Sequence, residues 1–130
     1  MKKVLFVCIE NSCRSQLAEA FARIHAENVW QVYSSGSNPS GVVNYKAITA
    51  MEELGYDMST HCSKSLEQIP DVVYDVVITM GCGDRCPSVR AIKREDWNIP
   101  DPKHMDETAF REVRDHIEKQ VLGLLDRMTT

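Results

Sequence analysis

The chain has 130 residues, of which 15 are Lys or Arg and 19 are Asp or Glu, so its formal net charge near pH 7 is −4. This length suits a single domain, residues 1–130, with a core that does not depend on crosslinks, and the acidic balance argues against nucleic acid or an anionic membrane surface as a partner. No apolar run approaches the roughly 20 residues that span a bilayer, and the stretch after Lys2 and Lys3 is too short for a signal peptide, so we expect a cytoplasmic protein without membrane contact.

Hydrophobic periodicity divides the sequence into alternating strands and helices. Strands are predicted where short apolar or alternating runs occur, at residues 4–8, 29–34 and 74–80, with a short fourth strand leading into Trp97. Helices are predicted where apolar residues recur every three or four positions, at residues 16–26, 44–54, 65–69 and 107–128, and Gly55 is expected to end the second of them. This alternation is typical of an α/β fold, a three-layer sandwich with a four-stranded parallel sheet in flavodoxin-like order and helices on both faces.

The segment CIENSCRS, from Cys8 to Ser15, lies between the first predicted strand and the first predicted helix. Backbone N–H groups in such a loop, with the helix dipole behind them, favour a bound anion. These donors and Arg14 also favour the thiolate form of Cys8, which is the nucleophilic form. The Arg14 guanidinium can fork onto two oxygens of a tetrahedral oxyanion above the sulfur. The alternative is an ordinary turn with a buried cysteine, but Asn, Arg and two Ser are poorly suited to packing alone.

Five cysteines, an odd number, indicate chemistry or redox sensing rather than a disulfide framework in a cytosolic domain. Cys82 and Cys86 follow the third predicted strand, and two glycines beside Cys82 give that segment backbone freedom. Because the carboxyl ends of parallel strands share one edge of the sheet, we expect this segment to lie close to the anion-binding loop. A zinc site made with His61 and Cys62 is the alternative, although no second closely spaced pair supports it. Cys13 and Cys62 are otherwise predicted to be structural.

At this point the chain resembles arsenate reductases of the low-molecular-weight protein tyrosine phosphatase fold, which is phosphotyrosine phosphatase I-like. The resemblance runs over essentially the whole chain. It is carried by the Cys8–Ser15 loop, the turn at residues 33–36 (YSSG), the Asp101-Pro102 pair after Trp97, and the cysteines after the third strand. The loop alone does not separate a phosphatase from a reductase, and the late cysteines favour the reductase.

The resemblance implies a role for each matching residue. Cys8 is implied to be the nucleophile, and Ser15 a hydroxyl donor that stabilises its thiolate. Arg14 is implied to clamp the oxyanion, and Asp101 to be the general acid that protonates the leaving oxygen. The oxyanion is implied to lie against the loop residues Glu10, Asn11, Ser12, Cys13, Arg14 and Ser15.

Asn11 also resembles the residue that braces this loop in the family, together with Glu19, Ser34 and position 64. Some relatives have an Asp near this position that helps to hold a potassium ion. This chain has Lys64 instead, and its ammonium group could replace the ion. The alternative is that Lys64 is an exposed loop lysine. No resident metal and no other cofactor are expected.

The implied reaction is the reduction of arsenate to arsenite by a three-cysteine relay. Cys8 attacks arsenate, Cys82 then attacks the Cys8 sulfur so that arsenite leaves, and Cys86 finally attacks Cys82. A thioredoxin-like dithiol protein is expected to reduce the last disulfide. Phosphate and sulfate are expected to compete with arsenate as oxyanions, and the protein is expected to be a monomer.

Two other functions remain open, and one loop residue departs from the family. A phosphatase acting on phosphotyrosine or small aryl phosphates is the alternative, but Lys103, His104 and Met105 follow the Asp-Pro pair where phosphatases of this fold usually have aromatic residues. Weak phosphatase activity is still expected, because the loop is shared. A thiol-based sensor or adaptor is the third interpretation. Glu10 stands where the family mostly has Gly, and its carboxylate would oppose anion binding unless it points outward.

Overall fold

The computed structural model describes residues 1–81 and 89–128, and these residues form one four-stranded sheet and three α-helices. The strands are β1 (Lys2–Cys8), β2 (Trp30–Gly36), β3 (Tyr74–Thr79) and β4 (Ala91–Asp96). The helices are α1 (Arg14–Ala26), α2 (Tyr45–Glu52) and α3 (Glu107–Met128), and Leu66–Gln68 forms a short 3-10 helix. No helix within these two ranges is long and apolar enough to cross a membrane.

The sheet has the strand order β2-β1-β3-β4, and every neighbouring pair is parallel. The predicted α/β fold with a four-stranded parallel sheet in flavodoxin-like order is therefore confirmed. The carboxyl ends of the strands lie at one edge, since Cys8 pairs with Gly36 and Val7 pairs with Thr79. The loop that follows Cys8 consequently projects from this edge, where parallel α/β sheets bind their ligands.

The central strand β1 is buried on both of its faces, because successive side chains of a strand point to opposite sides. Val4 and Phe6 belong to the larger hydrophobic cluster, to which α1, α2 and α3 all contribute buried residues. Leu5 and Val7 belong to a smaller cluster on the opposite face. This packing fixes the end of β1, where Cys8 is only 2% exposed.

The fourth strand is the element that periodicity defined least well. β4 spans six residues and is mostly exposed, because among the described residues it pairs with β3 alone and forms the edge of the sheet. An edge strand buries little, so it does not need an apolar alternation, and charged side chains on it discourage pairing with other chains. Residues 93–96 are four consecutive charged residues, so they show no apolar alternation. For this reason the sequence predicted only a short fourth strand leading into Trp97, without bounds.

Helix boundaries differ from the predicted ones by less than a turn. α1 begins two residues earlier than predicted, at Arg14. α2 ends at Glu52, because the following residues form tighter turns. Leu54 N–H donates to the Met51 carbonyl, and Gly55 N–H donates to the Glu52 carbonyl. Gly55 has a φ of 81°, so it ends the helix as expected. The predicted helix at 65–69 is a 3-10 helix of three residues.

Candidate active site in the loop after the first strand

The loop between β1 and α1 is held in place by its carbonyl groups. The carbonyl oxygens of Cys8, Ile9, Glu10 and Ser12 accept hydrogen bonds of 2.8–3.3 Å from backbone N–H groups of residues 37, 38, 40 and 44. Within the described ranges, the backbone N–H groups of residues 9–14 donate to no protein acceptor. N–H groups that stay available beside a helix N-terminus suit a bound anion.

Close packing against β2 gives this loop its curl. A Cβ atom added to Gly36 would lie 2.6 Å from the Ile9 carbonyl oxygen and 3.0 Å from the Asn11 nitrogen, so only glycine fits there. Asn11 has a φ of 50°, a left-handed conformation that Asn adopts more readily than most residues. The tight curl brings the two ends of the loop together.

The sulfur of Cys8 lies 2.9 Å from the Ser15 hydroxyl oxygen. The Asn11 side-chain amide donates to that same oxygen at 2.7 Å, which leaves the serine proton free to be donated to the sulfur. The structure thus brings Cys8, Asn11 and Ser15 into one contact group, although they are up to seven positions apart.

The second cysteine of the loop is in a different electrostatic state. Burial raises the pKa of Cys13 to about 12, and negative charge on Asp101 and Cys8 adds to this effect against the opposing Arg14. Cys13 therefore stays a thiol near neutral pH and does not compete as a nucleophile.

The Arg14 guanidinium connects the loop to the segment after β4. Arg14 is 7% exposed, its Nη1 donates to the Ile99 carbonyl at 3.1 Å, and its Nη2 lies 3.9 Å from Asp101 Oδ2. Gly81 makes room for it, because a Cβ atom there would lie 2.7 Å from Nη1. The Asp101 side chain is 44% exposed, so the carboxyl group stands at the rim, in reach of both solvent and Arg14.

A buried polar cluster lies behind the loop. The Asn11 amide also donates to the Ser34 hydroxyl at 3.1 Å, and that hydroxyl donates to Glu19 Oε1 at 2.5 Å. Lys64 donates its backbone N–H to Asn11 Oδ1 at 2.9 Å, and its Nζ lies 3.7 Å from Glu19 Oε1. The structure therefore brings Asn11, Glu19, Ser34 and Lys64 together, and the Lys64 side chain, 23% exposed, is mostly withdrawn from solvent.

Two further residues, Gln16 and His61, belong to this cluster although the sequence did not indicate it. Gln16 donates its amide to Asn11 Oδ1 and to the Cys62 carbonyl, both at 2.9 Å. His61 completes the chain of contacts, with Nδ1 at 3.0 Å from Gln16 Oε1 and Nε2 at 2.7 Å from the Tyr56 hydroxyl. Both ring nitrogens of His61 thus have partners, and a zinc site would have to break these contacts. No local pattern marks Gln16 and His61, because they meet across 45 positions of sequence.

Glu19 and His61 share one buried environment, and the pKa of each group is lowered there. Burial opposes ionisation of Glu19, yet its interactions with His61, Lys64 and Arg23 and the hydrogen bond from the Ser34 hydroxyl outweigh burial and lower its pKa. Burial also lowers the pKa of His61, against the attraction of Glu19. The imidazole is therefore neutral near pH 7, and Lys64 and Arg23 supply the permanent positive charge that keeps Glu19 ionised.

Replacing Lys64 by methionine should lower the melting temperature, because the Glu19 carboxylate, 5% exposed, loses its ammonium partner. We expect a loss of about 2 kcal/mol in the free energy of unfolding, between the values typical of exposed and of buried ion pairs. Potassium should restore part of this loss by entering the vacated space. Thermal unfolding in sodium and potassium buffers measures both effects.

A matched control for this variant is Lys93→Met on β4, where Nζ lies 3.3 Å from Glu95 Oε2 at the exposed sheet edge. It removes the same charge and should change stability little. If Lys64→Met behaves like this control in both buffers, Lys64 has only the role of a surface lysine.

The carboxylate of Glu10 is paired across the rim of the site. Lys103 Nζ donates to its two oxygens at 3.1 and 3.0 Å, and the two residues are 93 positions apart. The sequence showed Glu10 only as a departure from the family and Lys103 only as a non-aromatic residue after the Asp-Pro pair. Their contact depends on where the segment after β4 returns, which no local pattern reveals.

Cys82 and Cys86 lie outside the described residues. The residue directly before them, Gly81, is described and lies against the Arg14 guanidinium, so the chain enters that segment beside the candidate site. In the described part of the chain, no group of three or more His, Cys, Asp or Glu residues is arranged to hold a metal ion.

Comparisons with known proteins show which family and which relatives the chain is similar to. The sequence matches the family model for low molecular weight phosphotyrosine protein phosphatase over residues 3–130. It is 38% identical over 124 residues to arsenate reductase 1 of Staphylococcus epidermidis, covering 92% of each chain. It is 39% identical over 132 residues to the glutaredoxin arsenate reductase of Synechocystis sp., covering 99% of this chain and 100% of that relative. A solved structure of an arsenate reductase in the phosphate binding state has a TM-score of 0.87 to it at 40% identity, covering 98% of both chains.

Proposed function

Because the chain belongs to the low molecular weight phosphotyrosine protein phosphatase family, we propose that it is an arsenate reductase of that family and converts arsenate to arsenite. The observation that carries this choice is the 38–40% identity, over 92% or more of the chain, to proteins named as arsenate reductases. The contact group around Cys8 supports the first chemical step, in which a sulfur attacks a tetrahedral oxyanion.

In that first step the Cys8 thiolate attacks arsenic and forms an S–As(V) bond. One arsenate oxygen leaves as water, and Asp101 supplies the proton that this oxygen needs near neutral pH. Arg14 binds two of the remaining oxygens through its forked guanidinium, and the loop N–H groups bind the developing negative charge. The Ser15 hydroxyl, 2.9 Å from the sulfur, stabilises the thiolate before it attacks.

The second step transfers two electrons from sulfur to arsenic. The Cys82 thiolate attacks the Cys8 sulfur, an S–S bond forms, and the S–As bond breaks with its electron pair going to arsenic, so that arsenite leaves as As(III). The Cys86 thiolate then attacks the Cys82 sulfur, which forms the Cys82–Cys86 disulfide and frees Cys8. What supports this order is the sequence position of Cys82, directly after Gly81 at the rim of the site.

A thioredoxin-like dithiol protein in the cytoplasm is the proposed reductant of that disulfide, because a disulfide between two protein thiols exchanges readily with a second dithiol. We therefore expect sustained arsenite production with NADPH, thioredoxin and thioredoxin reductase, and at least tenfold less with glutathione and glutaredoxin. The Synechocystis relative is named as a glutaredoxin enzyme, so this comparison is informative. Faster turnover with glutaredoxin would contradict the thioredoxin assignment.

The test of the proposed reaction is a thiol count without any reductase. Reduced protein mixed with excess arsenate should lose two thiols per chain and release one arsenite. Bound arsenate with no loss of thiols would contradict reduction. Since all the groups named in the two steps come from one chain, we expect the active species to be a monomer, which light scattering on the same sample would measure.

Phosphatase activity is the second candidate function, and the match to a phosphatase family model favours it. The same thiolate, guanidinium and carboxylic acid can hydrolyse a phosphomonoester through a phosphocysteine intermediate. Turnover of p-nitrophenyl phosphate together with an unchanged thiol count in arsenate would make this the main activity. Inhibition of arsenite production by phosphate and by sulfate would support a shared oxyanion site.

Replacing Asp101 by asparagine should slow arsenite production by about 10²- to 10⁴-fold, the usual contribution of a general acid. The amide keeps the size of the side chain, so binding of inorganic phosphate should change little. Single-turnover rates and phosphate binding, measured on the same sample, separate the two effects. A loss of phosphate affinity with an unchanged single-turnover rate would assign Asp101 to binding instead.

A further inference from the structure

Glu10 places a carboxylate in a loop whose other features attract anions. Its side chain is 36% exposed, and it does not extend freely into solvent, because both oxygens accept from Lys103 Nζ at 3.0–3.1 Å. The hydrogen bond and charge of Glu10 raise the pKa of the Lys103 ammonium, so this cation is present throughout the neutral range. The loop therefore carries a paired charge rather than an isolated negative one.

Lys103 also contacts the remaining charged groups of the site. Its backbone N–H donates to Asp101 Oδ1 at 3.1 Å, and Asp101 Oδ2 lies 3.9 Å from Arg14 Nη2. Its carbonyl oxygen accepts from Lys46 Nζ at 3.2 Å, which holds the main chain independently of the side chain. Glu10, Lys103, Asp101 and Arg14 thus form a continuous series of contacts along the rim of the loop.

The charge of Glu10 also acts on the interior of the loop. Besides burial and Asp101, Glu10 is among the groups that raise the pKa of the buried Cys13 thiol. A carboxylate that acts electrostatically on Cys13 also acts on an anion bound to the same loop, and it repels that anion unless its charge is balanced. An ion pair as exposed as this one contributes little to folding stability. Its measurable effect therefore falls on anion affinity.

We propose that Lys103 is a positioning residue of the oxyanion site that neutralises Glu10 and so sets the affinity of the loop for tetrahedral oxyanions. Its place in arsenate reduction rests on the proposed function. The charge compensation itself does not, because it applies equally to inorganic phosphate. The two charges make unequal contributions: removing Lys103 alone leaves an uncompensated carboxylate at the loop, whereas removing Glu10 alone leaves an extra cation.

The experiment measures binding of inorganic phosphate to the reduced protein by calorimetry at low ionic strength. Lys103→Met keeps the stem and removes the charge, and it should raise the Kd about tenfold, equivalent to about 1.4 kcal/mol. Glu10→Gln should bind at least as tightly as the parent. The double variant should return to within about threefold of the parent, and Lys103→Arg should stay close to the parent. The control Lys93→Met changes the net charge equally, away from the site, and should not alter the Kd.

The dependence of the phosphate Kd on ionic strength is a second measurement, and a merely structural contact would not change it. The tenfold difference between Lys103→Met and the parent should shrink as ionic strength rises, because the repulsion is screened. Equal losses in both single variants, with no recovery in the double variant, would overturn charge compensation, and so would an unchanged Kd in Lys103→Met. A protein that binds phosphate in this pattern but yields no arsenite would contradict the proposed function and leave this inference intact.

Discussion

Replacing Cys8 by serine should abolish arsenite production and any hydrolysis of p-nitrophenyl phosphate, with a loss on the order of 10⁴- to 10⁶-fold. A serine hydroxyl stays protonated near neutral pH, whereas the thiolate is the reactive form of cysteine. An oxygen at this position also cannot form the disulfide that expels arsenite. Two assays measure this loss. The first is arsenite release in a single turnover, and the second is phosphate release from p-nitrophenyl phosphate.

The control for this variant is Cys62→Ser. Cys62 is an exposed free cysteine, and only its backbone carbonyl takes part in the contacts behind the loop. This control should keep both activities near the parent level. The Cys8→Ser protein should still bind inorganic phosphate, which shows that the loop is folded. More than a trace of either activity in that variant would mean that another residue is the nucleophile.

Replacing Cys82 by serine should almost eliminate arsenite release, whereas replacing Cys86 by serine should allow one turnover and then stop. The reason is the order of attack, since only a thiolate that reaches the Cys8 sulfur can break the S–As bond. The Cys86→Ser protein should accumulate a Cys8–Cys82 disulfide. The Cys82→Ser protein should retain the Cys8 adduct with arsenic or lose it by hydrolysis.

Mass spectrometry of peptides from the parent and both variants, quenched after one turnover, identifies the bonded pair. The parent should contain a Cys82–Cys86 disulfide with Cys8 free. A Cys8–Cys86 disulfide in the parent, with Cys82 still reduced, would reverse the assignment of the two late cysteines. Arsenite released in full by Cys82→Ser would lead to the same correction.

Much of the fold was predictable because it depends on local patterns. The apolar run before Cys8 indicated a buried central strand, and the helical spacing from residue 107 to 128 gave the last helix with the bounds that the structure has. β4 was indistinct for a physical reason, since its exposed residues, including Lys93 and Arg94, take no part in a core that would impose periodicity. Sequence patterns record burial, and an edge strand has little of it.

In the candidate site, too, residues close together in the sequence were predictable and contacts between distant positions were not. The anion-binding loop was recognisable because Cys8, Arg14 and Ser15 lie within eight consecutive residues and follow a strand. The contact of Gln16 with His61 was not recognisable, because it joins α1 to a loop 45 positions away. The role of Lys64 was partly predictable. The resemblance indicated which residues surround it, and the structure showed that its Nζ lies 3.7 Å from Glu19 Oε1.

By itself, the sequence determined the order of strands and helices and the residues of the loop, because both are encoded in neighbouring positions. Tertiary structure alone decided how the charges around that loop are balanced. The pairing of Glu10 with Lys103 and the approach of Arg14 to Ile99 join residues 93 and 85 positions apart. Such contacts exist only after β1, β3 and β4 have aligned their carboxyl ends at one edge of the sheet. Electrostatic compensation depends on distance in space, and the chain sets that distance only by folding.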